Sequence, residues 1–232
     1  MKKLIIIPAY NESACIEYTV REIEKYAPDF DYIIINDCST DNTGEICRKN
    51  HFNTVHLTVN LGIGGAVQTG YLYGWRNGYD LAVQVDGDGQ HDPAFLNSMA
   101  ECMEREKLDM VIGSRFIEKR GFQSSGMRRV GIRYFSGLIK LLTGTRITDP
   151  TSGLRMVNRK VMKEFAYNYP KDYPEPESVV TILCQGCKIK EIPVIMRKRL
   201  GGVSSISMKK SVYYMIKVTL AILFEKIRGG KK

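Results

Sequence analysis

No stretch of this 232-residue chain reaches the ~18 uninterrupted apolar residues that a membrane-spanning helix requires. The apolar run Leu4–Ile7 ends at Pro8, too short for the hydrophobic segment of a secretory signal, and reads as a first core strand. Internal repeats and low-complexity tracts are missing. The cysteines (Cys15, Cys38, Cys47, Cys102, Cys184 and Cys187) are scattered, which argues against a disulfide framework. Cys184 and Cys187 have zinc-knuckle spacing, but no second Cys/His pair lies near them, so they read as small half-buried helix residues. Phosphate loops are missing too. A G-x-G-x-x-G begun at Gly62 would need glycine where Val67 stands, and no G-x-x-x-x-G-K-[ST] occurs. The segment Pro8–Glu12 carries no basic residue, whereas a nucleotidyltransferase would be expected to carry a Gly/Arg/Lys-rich loop there.

What is present is an ordinary globular composition, 44% hydrophobic and 25% charged. The net charge of +9 is unevenly placed: residues 188–232 hold twelve Lys/Arg and two Asp/Glu, leaving the rest at −1. A basic end on a neutral body suggests an anionic partner there, such as phospholipid headgroups, a lipid phosphate or nucleic acid, with a solvated tail as the plainer alternative.

Short β-branched runs at 3–7, 32–36, 54–59, 81–85 and 109–113 alternate with helical patterns near 13–26, 43–49, 64–76 and 93–106. This predicts an α/β fold with a mostly parallel sheet flanked by helices. In such sheets ligands bind beyond the carboxyl ends of the strands. Further along, 128–143 reads as a basic amphipathic helix, 175–187 as a helix, 189–196 as a strand and 208–227 as a helix. The expected organisation is a domain over 1–207, with a nucleotide half to 115 and an acceptor half over 116–207, followed by a basic amphipathic helix over 208–232.

The residues after each predicted strand are chemically dense. Asp86-Gly87-Asp88 sets two carboxylates around a glycine, a pattern that can address a hard divalent cation and its phosphate ligands, with Gln90 adding a carbonyl oxygen. Asp37 can accept hydrogen bonds from a base or ribose, while Asp41 or Thr43 caps the helix that follows. Asn60–Ala66 is expected to pack a helix closely against the nucleotide.

The ordered set Pro8-Ala9-Tyr10-Asn11-Glu12, Asp37–Asp41, Asn60 with Gly62, Asp86–Gln90, Gly113-Ser114-Arg115 and Asp149–Gly153 resembles the family 2 inverting glycosyltransferases, closest to the polyprenol- or dolichol-phosphate sugar synthase branch. The resemblance covers roughly residues 4–207. It implies a GT-A fold, a UDP- or GDP-sugar donor, and Mg²⁺ or Mn²⁺. Pro8, Tyr10, Glu12 and Asp37 would hold the nucleoside. Asp86, Asp88 and Gln90 would hold metal and diphosphate. Arg115, with Arg128 or Arg129, would bind an acceptor phosphate, and the loop around Arg199, Gly202 and Ser204 would close over the donor. One departure stands out: Asn36 precedes Asp37 where the family often has a second aspartate.

The acceptor stays open between a lipid phosphate and a glycan hydroxyl. A phosphate needs no general base, whereas a hydroxyl needs one, for which Glu175 and Glu177 are candidates, and His91 a weaker one. The C-terminal helix fits an interfacial element at a membrane surface or a docking or dimer contact. The expectation is a cytoplasmic enzyme, peripheral at the inner membrane face, with no nucleic-acid partner; homo-oligomerisation stays open.

Overall fold

The computed structural model describes residues 1–118, 120–121, 126–198 and 208–229, without the side chains of 127, 208–212 and 228–229. Its centre is a seven-stranded sheet. The strands are β1 (Lys3–Ala9), β2 (Asp31–Asn36), β3 (Thr54–His56), β4 (Leu81–Gln84), β5 (Met110–Ser114), β6 (Arg155–Asn158) and β7 (Ile189–Pro193), in spatial order β3-β2-β1-β4-β6-β5-β7. All neighbours pair in parallel except β6, which runs antiparallel to both β4 and β5.

The helices are α1 (Ile16–Tyr26), α2 (Thr43–Lys49), α3 (Gly62–Arg76), α4 (Leu96–Glu106), α5 (Gly126–Thr143), α6 (Arg159–Tyr167), α7 (Pro174–Cys184) and α8 (Met208–Gly229). They cover both faces of the sheet, which explains the unbroken apolar strands. Leu4 and Ile6 of β1 point into one core with residues of α3, α5, α6, α7 and α8, while Ile5 and Ile7 point into the other with α1 and α4. Each such fully buried aliphatic side chain contributes about 2 kcal/mol. α3 lies very close to β1 because Gly70 faces Ile6: a Cβ there would collide with the Ile6 side chain.

The five predicted N-terminal strands all form, with β3 ending at His56. β6 and α6 had no counterpart in the pattern reading. At four residues β6 is too short to show a period, and its position is fixed by the neighbours it joins. Because β6 sits between β4 and β5, the two halves of the chain share one sheet. α8 is docked on the body: Val218 and Ile222 are buried in the core that holds Leu4, and Thr181 Oγ1 donates to Glu225 at 3.1 Å. No helix among the described residues is long and apolar enough to cross a membrane.

Candidate active site

A cavity of about 500 Å³ opens beyond the carboxyl ends of β1, β2 and β4. From β1 come Pro8, Ala9, Tyr10 and Glu12, and from the end of β2 comes Asp37. The two loops are tied together. Asn11, in the left-handed region at φ 57°, accepts the Thr40 N–H at 2.8 Å, and Glu12 N–H donates to Thr43 Oγ1 at 2.9 Å. Asp41 accepts the Thr43 N–H at 2.9 Å and the Ser13 N–H at 3.1 Å, which ties the start of α2 to the β1 loop from one residue before the cap position, Asn42. Burial opposes the Asp41 charge, but these hydrogen bonds outweigh it and hold the carboxyl below its ordinary range.

Asp37 is buried and accepts the Leu61 N–H at 2.7 Å, fixing the turn into α3, whose Gly62, Ile63 and Ala66 also line the cavity. Asn36 does not line it. Its Nδ2 lies 2.9 Å from His56 Nδ1, and its Oδ1 accepts the Ser39 N–H at 3.2 Å. Position 36 therefore braces the turn after β2 and does not address the ligand cavity.

Asp86, Gly87, Asp88, Gln90 and His91 form the floor. Asp86 Oδ1 accepts from Gln84 Nε2 at 2.8 Å, and Asp88 Oδ1 accepts the Gln90 N–H at 3.0 Å. Gln90 Nε2 donates to Arg197 O at 3.4 Å, leaving its carbonyl oxygen as the atom it can offer a cation. His91 is buried, and its Nδ1 accepts the Asp86 N–H at 3.0 Å. The ring proton therefore sits on Nε2, which has no hydrogen-bond partner among the described residues and lies 3.8 Å from Asp86 Oδ2. With its acceptor nitrogen occupied, His91 braces the acidic turn and is not placed to act as a base. Gly153 closes over this cluster: a Cβ there would lie 3.1 Å from Asp86 Oδ2.

Two carboxylates and an amide oxygen are a fitting donor set for Mg²⁺ or Mn²⁺ with a diphosphate. Among the described residues no group of three His, Cys, Asp or Glu could hold a metal by itself, so phosphate oxygens would have to complete the shell.

The opposite wall comes from the second half of the chain: Arg115, Arg128, Thr151, Tyr173, Glu175, Met196 and Tyr214. Arg115 and Asp149, both buried, form a two-pronged ion pair, Nε–Oδ2 and Nη2–Oδ1 each at 2.6 Å, and Arg115 Nη2 also donates to Thr151 Oγ1 at 3.0 Å. The Arg115 fork expected to grip an acceptor phosphate is therefore already engaged by Asp149. Arg128, an exposed residue near the start of α5, presents a cationic side chain to the cavity.

Glu177 and Arg129 do not line this cavity. Consecutive helical residues differ by about 100° in direction, so Glu175 and Glu177 lie on opposite sides of α7, and Arg128 and Arg129 address different pockets. Glu175 faces the cavity, and burial raises its carboxyl pKa against the opposing effect of Arg155. Glu177 also has its pKa raised, first by burial and then by Glu225 of α8. Arg199, Gly202 and Ser204 lie outside the described residues.

Arg155 is a residue the pattern reading passed over. It is 1% exposed, and among the described residues its hydrogen bonds go to no carboxylate: Nε donates to Ser152 O, Nη2 to Pro150 O, and Nη1 to Glu175 O and Ser178 Oγ. It thus clamps the 150–153 turn to the start of α7 and holds Glu175 at the cavity. The available signal was a lone arginine beside an apolar strand segment.

The sequence profile of a family described as Glycosyl transferase family 2 matches residues 4–165. Undecaprenyl-phosphate mannosyltransferase of Micrococcus luteus is 28% identical over 221 residues, covering 89% of this chain and 88% of that protein. Polyprenol monophosphomannose synthase of Mycolicibacterium smegmatis is 26% identical over 216 residues, covering 89% of this chain and 81% of that protein. Glucosyl-3-phosphoglycerate synthase of Mycobacterium tuberculosis, solved with Mn²⁺, UDP and phosphoglyceric acid, is similar in fold. Its TM-score is 0.72 at 17% identity, covering 97% of this chain and 78% of that chain.

Proposed function

The chain belongs to glycosyl transferase family 2 and has a GT-A fold, and from that premise we propose that it transfers a sugar from a nucleotide-diphosphate donor to a polyprenyl-phosphate acceptor with inversion. One observation carries this reading: a single cavity joins the Asp86–Asp88 carboxylate pair on one side to Arg128 on the other. The two relatives described above are named for polyprenyl-phosphate acceptors, which supports the acceptor class.

In this reading Asp37 accepts from the base or ribose, with Pro8, Tyr10 and Glu12 framing the nucleoside. Asp86, Asp88 and the Gln90 carbonyl would hold Mg²⁺ or Mn²⁺, which when bound stabilises the negative charge on the departing nucleoside diphosphate. Arg128 orients the acceptor phosphate. A phosphate oxygen attacks the anomeric carbon, the bond from that carbon to the donor phosphate oxygen breaks, and the electron pair leaves with the diphosphate. The ionised phosphate surrenders no proton, so no base is needed. Arg115 shapes this wall through Asp149 and Thr151. Arg199 and Ser204 are retained as donor-loop residues. Contact with the inner membrane face is assigned to α8, which exposes Tyr213, Ile216, Leu220 and Phe224.

Glu175 favours a second reading, with a glycan hydroxyl as acceptor, because it faces the cavity with a raised pKa. The two readings differ in pH dependence. A hydroxyl acceptor requires ionised Glu175, so the rate would fall as pH drops through its raised pKa; a phosphate acceptor would show no such requirement.

The test is a thermal-shift screen with UDP- and GDP-sugars, each with and without Mn²⁺, followed by transfer of labelled sugar to a short-chain polyprenyl phosphate. A metal-dependent shift with one nucleotide and label in the lipid are expected. Donor hydrolysis or binding with no label in the lipid would overturn the acceptor assignment.

A further inference from the structure

We propose that a second pocket, beside α5, binds the phosphate of an anionic phospholipid headgroup and orients the enzyme on the membrane. The pocket has a volume of about 300 Å³ and is lined by Arg129, Arg133 and Arg146, with Phe116, Ile132 and Thr148. All three arginines are exposed, and among the described residues none of them has a recorded ion pair or hydrogen bond. The nearby Glu191 carboxylate does not neutralise them by contact: its oxygens accept from Thr148 N, Thr148 Oγ1 and Asp149 N. Three arginines around one pocket, with no carboxylate in its lining, suit a phosphate ester.

The surroundings select a membrane lipid over a soluble phosphate. Val130 and Tyr134 each follow a pocket arginine by one residue and so lie about 100° around α5. They are 65% and 46% exposed, and Leu141, on the same strip, is 81% exposed. Tyr134 Oη lies 3.2 Å from Thr219 Oγ1, which brings α8 alongside and continues the exposed apolar strip through Ile216 and Leu220. A basic groove bordered by uncovered apolar side chains complements a phosphate headgroup above acyl chains. Arg128, one residue before Arg129, opens into the catalytic cavity, so a membrane held here meets the cavity mouth at the same end of α5. The inference rests on the reading that the enzyme works at a membrane surface, and it moves the anchoring contact from the basic chain end to α5.

The experiment is co-sedimentation of the full chain with phosphatidylcholine vesicles, with and without phosphatidylglycerol. Arg133→Glu with Arg146→Glu is expected to weaken binding to the anionic vesicles roughly thirtyfold, while turnover of a water-soluble short-chain polyprenyl phosphate stays at the wild-type rate. Unchanged vesicle binding would overturn the proposal. Arg133→Lys with Arg146→Lys keeps the charge and loses the planar fork; wild-type binding by that variant would indicate a diffuse field and would also overturn the pocket. If inorganic phosphate stabilised the wild type but not the glutamate variant, with vesicle binding unaltered, the ligand would be a soluble phosphate and the lipid assignment would fall. Loss of vesicle binding in a protein that glycosylates no polyprenyl phosphate would sink the functional reading and leave the headgroup site standing.

Discussion

The two walls of the cavity are built by opposite means. On the donor side every functional group follows a strand end within a few residues and is held by short loops bonded to one another, as when Asn11 accepts from Thr40 and Asp37 from Leu61. On the acceptor side Arg128, Glu175 and Tyr214 ride on helices, so their positions depend on helical phase, and the rest of the wall is held by buried cations, Arg115 on Asp149 and Arg155 on carbonyls. A strand end places a side chain by local sequence. A helix places it only after its packing is known.

That contrast can be broken or sharpened by substitution. The largest effect is expected on the donor side. Asp88→Ala should lower transfer by about a thousandfold, on the scale of lost transition-state charge stabilisation, with the circular-dichroism melt nearly unchanged; wild-type turnover would remove Asp88 from the site. Next comes Arg155→Ala, which strands buried carbonyls and should cost about 3 kcal/mol of stability, read in a urea titration. A loss of activity with full stability would make Arg155 more than a clamp.

Smaller and more diagnostic is the pair Glu175→Gln and Glu177→Gln. Only the first should change cavity chemistry, by roughly a hundredfold in transfer if it acts as a base; equal effects would mean that helix phase is not what separates them. The same substitution tests the raised pKa. A carboxyl held above its unfolded value contributes stability below that value and loses it as pH rises through the folded one. Glu175→Gln should therefore raise the melting temperature at pH 8 and leave it nearly unchanged at pH 4. The smallest effect is expected for Asp41→Ala, about 1 kcal/mol from the lost bonds to the Thr43 and Ser13 N–H groups, seen as a lower melting temperature with turnover retained.

The sequence made the donor wall legible for a physical reason. Parallel strands buried on both faces read as apolar runs, and the polar residues that follow them necessarily share one edge, so Glu12, Asp37, Asp86 and Asp88 could be grouped without coordinates. The acceptor wall was legible only as a neighbourhood. Glu175 and Glu177, and likewise Arg128 and Arg129, stood as alternatives, because sequence does not say which of two residues, one or two positions apart on a helix, turns toward the cavity. The family resemblance made Arg115 a ligand for the acceptor phosphate; its engagement by Asp149, 34 residues on, is a tertiary fact. β6 escaped for the same reason, since four residues acquire strand character only from β4 and β5 on either side.

The inserted strand has a consequence during synthesis. Until residues 155–158 leave the ribosome, β4 and β5 have no partner to join them, and each presents a raw hydrogen-bonding edge. At about 5–20 residues per second the interval between the end of β5 and the end of β6 is roughly 2–9 s. The nascent first half thus waits with its acidic turn unsupported, because Gly153, which packs on Asp86, arrives just ahead of the same strand. A pause in translation within that window, or a truncation near residue 115, is expected to yield aggregated protein and no autonomous nucleotide-binding half, a result that pulse-labelled expression would reveal.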